Sequence, residues 1–187
     1  MKPTYFVLSM FAATVFSTAG FAAGESSGGD DAAPKATETT LKCKKTEVYD
    51  KKLKKCVVLK KSGMNDVMDD DGLYDTAREL AYFDRPEDAI TLLKQIADQN
   101  QPRVQNYLGF ANRKAGRMED AMMYYNVALS MDPDYVLARS YMGQGLLEQG
   151  DFGGAYAQLR EIKERAGTNN RSYEMLASAI TGMPSNY

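Results

Sequence analysis

Tyr107-Leu-Gly-Phe-Ala-Asn-Arg-Lys-Ala-Gly-Arg-Met-Glu-Asp-Ala-Met-Met-Tyr-Tyr125 holds the pattern that decides the fold. Gly109 and Ala121 stand twelve residues apart, Tyr125 follows four later and Ala128 three after that. The order returns 34 residues on as Gly143, Ala155, Leu159 and Ile162, and 32 residues earlier as Ala77, Ala89, Leu93 and Ile96. A small residue on one helix facing a small residue on the next lets two backbones approach closely, and the large residues fill the space beside them. Gly116 and Gly150 fall where the first helix of a pair must stop, as left-handed caps do. Asp132-Pro133 breaks the chain after the second helix of the middle unit. No single hairpin buries both its faces, so neighbours must stack.

Working outward, the charge divides the chain in two. Ten lysines against three acids (Glu38, Glu47, Asp50) lie between Lys35 and Lys61, a net of +7, whereas residues 62–187 carry twelve basic against nineteen acidic groups, a net of −7. Segments of such opposite sign do different jobs. The chain of 187 residues contains no histidine, which removes the commonest general base and metal ligand near neutral pH.

The N-terminus reads as an export signal over residues 1–22. Lys2 precedes a mostly apolar run from Tyr5 to Phe16, and the small residues beyond it place cleavage after Ala22 or Ala23. The run is short for a bilayer span, which needs about 20 apolar residues. A periplasmic or secreted location is expected, and the small-residue cleavage style suggests a bacterial envelope. Residues 23–40, rich in Gly, Ser, Ala, Asp and Thr, read as a flexible linker. Residues 41–61 then place Cys43 and Cys56 on two short β-prone runs around a polar turn, a small disulfide-clamped hairpin. Closing that loop is worth on the order of 3 kcal/mol in the chain-entropy model.

An acidic lead-in follows over residues 62–72. A calcium loop with Gly72 at its sixth position would need acids where Val67 and Arg78 stand, so the aspartates are assigned to the N-terminus of the next helix. The helical domain is expected over 73–182, with a tail at 183–187.

The repeated residues carry a resemblance. Leu108-Gly109, Ala121, Tyr125, Ala128 and Pro133 in unit 102–135, with Met142-Gly143, Leu146, Ala155 and Leu159 in unit 136–169, resemble the tetratricopeptide repeat (TPR). The unit at about 70–101 is shorter and has Thr76-Ala77 where Leu-Gly is usual. Asn112 stands where a large residue is usual, and Gly167 where proline is. Residues 170–182 read as a capping helix with Tyr173, Leu176 and Ile180 on one face. The resemblance implies an all-α helical-hairpin solenoid of about three repeats plus a cap, preceded by the β-hairpin.

The resemblance also implies an inner wall that holds a protein or peptide. Carried over by position, it is lined by Tyr74, Arg78, Asn106, Phe110, Arg113, Ser140, Gln144 and Leu147, with Phe110 as the expected exposed anchor. The Lys/Asn carboxylate clamp of some family members is not reproduced. An alternative role gives residues 42–61 an anionic lipid or polysaccharide surface to hold. Nucleic acid is not expected, since arginine and stacking aromatics are scarce in that segment. No Cys-x-x-Cys spacing, zinc set, phosphate loop, paired carboxylates or nucleophile elbow is found, so no metal site, no cofactor and no catalysis are expected. Asn170-Arg171-Ser172 matches a glycosylation sequon, informative only in a eukaryotic secretory host.

Overall fold

Each helix of the stack starts and stops for a local reason. The side chain of Asp69 accepts a hydrogen bond from the Gly72 amide and opens α2 (Asp70–Tyr82). Proline occupies the first turn of α3 (Pro86–Leu93) and α4 (Pro102–Lys114), where a missing N–H costs nothing. Then come α5 (Met118–Met131), α6 (Val136–Glu148), α7 (Phe152–Ala166) and α8 (Arg171–Thr181), the last two capped by Asp151 and Asn170. The computed structural model describes residues 32–60 and 62–182. The expected signal peptide, the start of the linker, Lys61 and the tail lie outside the described residues.

One hydrogen bond recurs in all three hairpins and fixes their register. The amides of Arg85, Arg117 and Asp151 donate to the carbonyls of Leu80, Asn112 and Leu146, five residues back, at 2.8, 2.9 and 2.8 Å. This bond requires a left-handed residue just before the donor. Gly116 and Gly150 supply it at φ 77° and 79°, and in the first hairpin Asp84 adopts it at φ 53° without being glycine. The expected small residues Ala77, Ala89, Gly109, Ala121, Gly143 and Ala155 are all buried. A Cβ built on Gly109 would lie 2.6 Å from the ring of Tyr125, the large residue of its pattern, whereas Gly143 faces Leu176 of α8 and the expected Leu159 is only half-buried.

The first repeat departs from the other two. Its second helix, α3, has eight residues against fourteen in α5 and fifteen in α7. Lys94–Gln101 is irregular, and Ile96 reaches the core from there rather than from a helix. The Gln95 side chain closes this stretch against the preceding chain, accepting from the Met64 amide and donating to the Lys60 carbonyl. The helical stack begins at Asp70, three residues ahead of the expected start at Leu73, because Asp69 caps it. Asp70 then accepts from the Ala97 amide, and Asp71 pairs with Arg103.

Two expectations for the N-terminal third need correction. Residues 32–40 are not a free linker. A five-residue helix, α1 (Glu38–Lys42), forms there, and its N-terminal amides and hydroxyls are taken up by the stack. The buried carboxylate of Glu79 accepts from Thr37 N, Thr37 Oγ1, Thr40 N and Thr40 Oγ1 at 2.6–3.3 Å. The hairpin is also smaller than residues 41–61. It pairs β1 (Glu47–Asp50) with β2 (Lys55–Val58), with Tyr49 opposite Cys56. Cys43 caps the C-terminus of α1 instead of lying on a strand, so the Cys43–Cys56 disulfide ties α1 to β2.

This N-terminal module is docked on the stack. Val48 is fully buried in the main core. The Arg85 guanidinium donates to the carbonyls of Thr39 and Glu47 and to the Asp88 carboxylate, which accepts in turn from the Thr46 amide. At the other end α8 packs mainly on α6, with Leu176 against Gly143. Its buried stripe is Ser172, Met175 and Leu176; Tyr173 and Ile180 are only half-buried, so the expected capping face is rotated.

Candidate interaction surface

Helices α2, α4 and α6 form one row of the stack, and an aromatic cluster joins all three. The Tyr107 ring on α4 meets Tyr74 edge-on at 5.5 Å. Phe110 packs between Tyr82 of α2, at 5.1 Å, and Tyr141 of α6, at 4.6 Å. The hydroxyls of Tyr82 and Tyr141 lie 2.6 Å apart, linking the first and third helices of that row. Such aromatic pairs contribute about 0.5–1.5 kcal/mol each beyond the area they bury. Helix α4 is buried from Val104 to Arg113 on every side.

Burial sets the ionisation of these phenols. It pushes the Tyr141 hydroxyl well up, reinforced by Tyr107 and Tyr82. Burial raises Tyr107 as well, against the opposing charge of Arg78. Tyr125, beneath Gly109, is pushed up to about 12 by burial despite Arg113 beside it. Burial works against the Arg113 charge, but Tyr125 and Glu148 outweigh it and hold the pKa above its ordinary value. The Arg113 guanidinium donates to Glu148 and to Gln144 on α6 and lies over the Phe110 ring.

The eight residues carried over as an inner wall are therefore not one open surface. Phe110 is 6% exposed and belongs to the core, so it is not a free anchor. The Tyr82–Tyr141 contact and the stacked rings fill the space it was expected to face. Tyr74, Arg78, Asn106, Arg113 and Ser140 are buried, whereas Gln144 and Leu147 are half-buried. The sequence reading did not single out Tyr82, Tyr107 or Tyr141. The recurrence of Tyr107 and Tyr141 at 34 residues was the signal that could have found two of them.

What stays open lies at the N-terminal end. A cleft of about 1130 Å³ separates the N-terminal module from α2. Tyr74, Asp75, Arg78 and Arg103 stand on its repeat side, and Lys51 and Lys52 on its module side. Arg78 also donates to the Ala32 backbone carbonyl at 2.9 Å. Arg103 lies over the Tyr74 ring at 4.6 Å and is paired with Asp71.

Three stacked helix pairs with buried small residues at recurring positions and a final capping helix define a helical-hairpin repeat. Residues 112–180 match the family model of the tetratricopeptide repeat, and the same helical-hairpin geometry is found ahead of the match in α2 and α3. No curated protein matches the chain. Tetratricopeptide repeats are non-catalytic modules that mediate contacts between proteins.

Proposed function

We propose that this chain is an exported scaffold that holds a partner polypeptide in the cleft between α2 and its N-terminal module. The observation that carries this reading is the open cleft of about 1130 Å³, on whose wall stands Arg78, a side chain that already holds the backbone carbonyl of Ala32. An arginine that reads one backbone carbonyl suits extended peptide, which offers carbonyls at a regular interval. Lys51 and Lys52 on the opposite wall favour a peptide with acidic side chains. Export rests on the residue pattern of positions 1–23, whose style supports a role in assembly or secretion at a bacterial envelope.

A photoreactive residue at Asp75, which is exposed on the cleft wall, tests the binding mode in intact cells. One discrete crosslinked partner is expected, and Arg103→Glu should remove it. The same partners from a probe at Met123, on the outer face of α5, would sink the cleft as the site. N-terminal sequencing of the cell-extracted protein should begin at Ala23 or Gly24; a chain beginning at Met1 would overturn export with cleavage.

A further inference from the structure

The N-terminal module carries further surface outside the cleft lining, at Lys42, Lys44, Lys45, Lys54, Lys55 and Lys60. All eight lysines between Lys42 and Lys60 are exposed. The two acids among them are tied to backbone amides: Glu47 accepts from the Lys44 amide, and the buried Asp50 from the amides of Lys52 and Leu53. Glu38 offsets Lys42, and the exposed charge of the module remains predominantly positive. Three aliphatic side chains stand out of the same module, Leu41 at 72%, Leu53 at 58% and Val58 at 63% exposed. Val58 shares a strand face with Cys56 and with Tyr49 opposite it, and α1 is tied to that face by the disulfide and by Lys42 over the Tyr49 ring. Leu53 sits at the hairpin tip, where the Asp50 side chain holds the turn. Arg85 and Asp88 fix the whole module to the stack, so the surface is presented rigidly.

We infer that this face docks on an anionic lipid bilayer, with the lysines over the headgroups and Leu41, Leu53 and Val58 in the headgroup–acyl boundary. Lysines near an anionic membrane contribute about 1 kcal/mol each, roughly fivefold in partitioning. That attraction alone would serve a hydrated polyanion as well. The exposed aliphatics decide between the two, because they gain free energy only where there is hydrocarbon to enter. This inference does not depend on the cleft: Lys51 and Lys52 line the cleft, and the variants below leave both intact.

The chain has no tryptophan, so one placed at the tip reports without background. Full-length Leu53→Trp protein is mixed with vesicles of phosphatidylglycerol and phosphatidylcholine, or of phosphatidylcholine alone. A blue-shifted emission shielded from acrylamide is expected only with the anionic vesicles, while Phe152→Trp on α7 stays unshifted. Lys44→Gln/Lys45→Gln/Lys54→Gln/Lys55→Gln should weaken the response several hundredfold in lipid concentration. Leu41→Ser/Val58→Ser in the same reporter should weaken it about tenfold or more. A shift of equal size on neutral vesicles, or none on anionic ones, overturns the inference. So does an unchanged response in the serine variant with equal binding to alginate, which would mark a polymer contact. Far-UV dichroism of each variant separates lost binding from lost fold.

Discussion

At the N-terminal end of the stack, Glu79, Arg85 and Asp88 reach out of the first hairpin to amides, hydroxyls and carbonyls of residues 37–47. At the C-terminal end, Leu176 fills the notch over Gly143 and Met175 joins the main core. A solenoid must end somewhere, and its last face has to be covered. The apolar closure resembles the packing between repeats and tolerates small shifts. The polar closure is different: each buried group must meet its partner, because an unpaired one costs its full desolvation. Polar docking therefore specifies one orientation of the module, which a binding cleft and a presented surface both need.

The sharpest way to break the comparison is to remove the centre of the polar closure. Arg85→Met strands Asp88 and leaves the carbonyls of Thr39 and Glu47 without that donor. Breaking a buried pair from one side costs about 3–5 kcal/mol. We expect hydrogen exchange to rise across residues 37–59 while α5 to α8 keep their protection, and Arg85→Met/Asp88→Leu to recover part of the loss. Uniform loss along the whole chain would mean that the module is part of the repeat fold and not a docked end.

Alkaline pH strikes the middle and spares the difference between the ends. Tyr107, Tyr125 and Tyr141 have folded-state pKa values above their ordinary value of about 10, since burial favours the neutral phenol. Their contribution is complete below pH 10 and is lost as pH rises toward the folded values. The slope is about 1.4 kcal/mol per pH unit for each tyrosine, on the order of 3 kcal/mol in all by pH 11. Urea denaturation from pH 8 to 11 should give a flat, then falling, stability. Tyrosinate absorbance should appear with unfolding; its appearance in the folded protein near pH 10 would contradict the burial of the cluster.

The two ends also differed in how far the sequence revealed them. The repeat was legible because close helix packing demands small residues at a fixed interval, and Gly109/Ala121 and Gly143/Ala155 obey it. The capping helix was legible from apolar residues at helical spacing, although its face was misjudged: a terminal helix packs against α6 and α7 with no further helix beyond it, and can rotate. The docking of residues 32–60 was hidden, because Glu79, Arg85 and Asp88 look like ordinary charges on helical faces. Their partners are backbone groups some forty residues away, and no spacing rule announces those. The inner surface was misread at Phe110, since position in a repeat says which way a side chain points. It does not say whether tyrosines from two neighbouring helices fill the space in front of it.

Leu176→Ala sharpens the C-terminal half of the comparison. Truncation of a buried leucine typically costs 2–5 kcal/mol, and the lower end, about 2–3, is expected at a helix free to settle. Exchange should rise in α8 and at the α6 face over Gly143, with residues 37–59 unchanged. A matching rise in the N-terminal module would show that the two ends are coupled through the aromatic cluster joining α2, α4 and α6.

The smallest effect is the most discriminating, because it compares equivalent positions in adjacent repeats. A Cβ at Gly109 meets the Tyr125 ring at 2.6 Å, and a Cβ at Gly143 meets the Leu176 Cδ2 atom at the same 2.6 Å. The distances are alike but the neighbours are not. Tyr125 is a rigid, fully buried ring held between α4 and α5, so Gly109→Ala must move backbone. Overpacking of that kind costs about 1–3 kcal/mol. The methyls of Leu176 are the far end of a flexible side chain on the last helix, and a rotamer change or a slight outward shift of α8 makes room. Alanine also gains about 1 kcal/mol of helix propensity over glycine at both sites. The expected outcome is a net loss of about 1–2 kcal/mol for Gly109→Ala and less than about 1 kcal/mol for Gly143→Ala, read by urea denaturation. Equal losses would mean that α8 is held as firmly as a central repeat, and the distinction between a yielding apolar end and a rigid interior would fail.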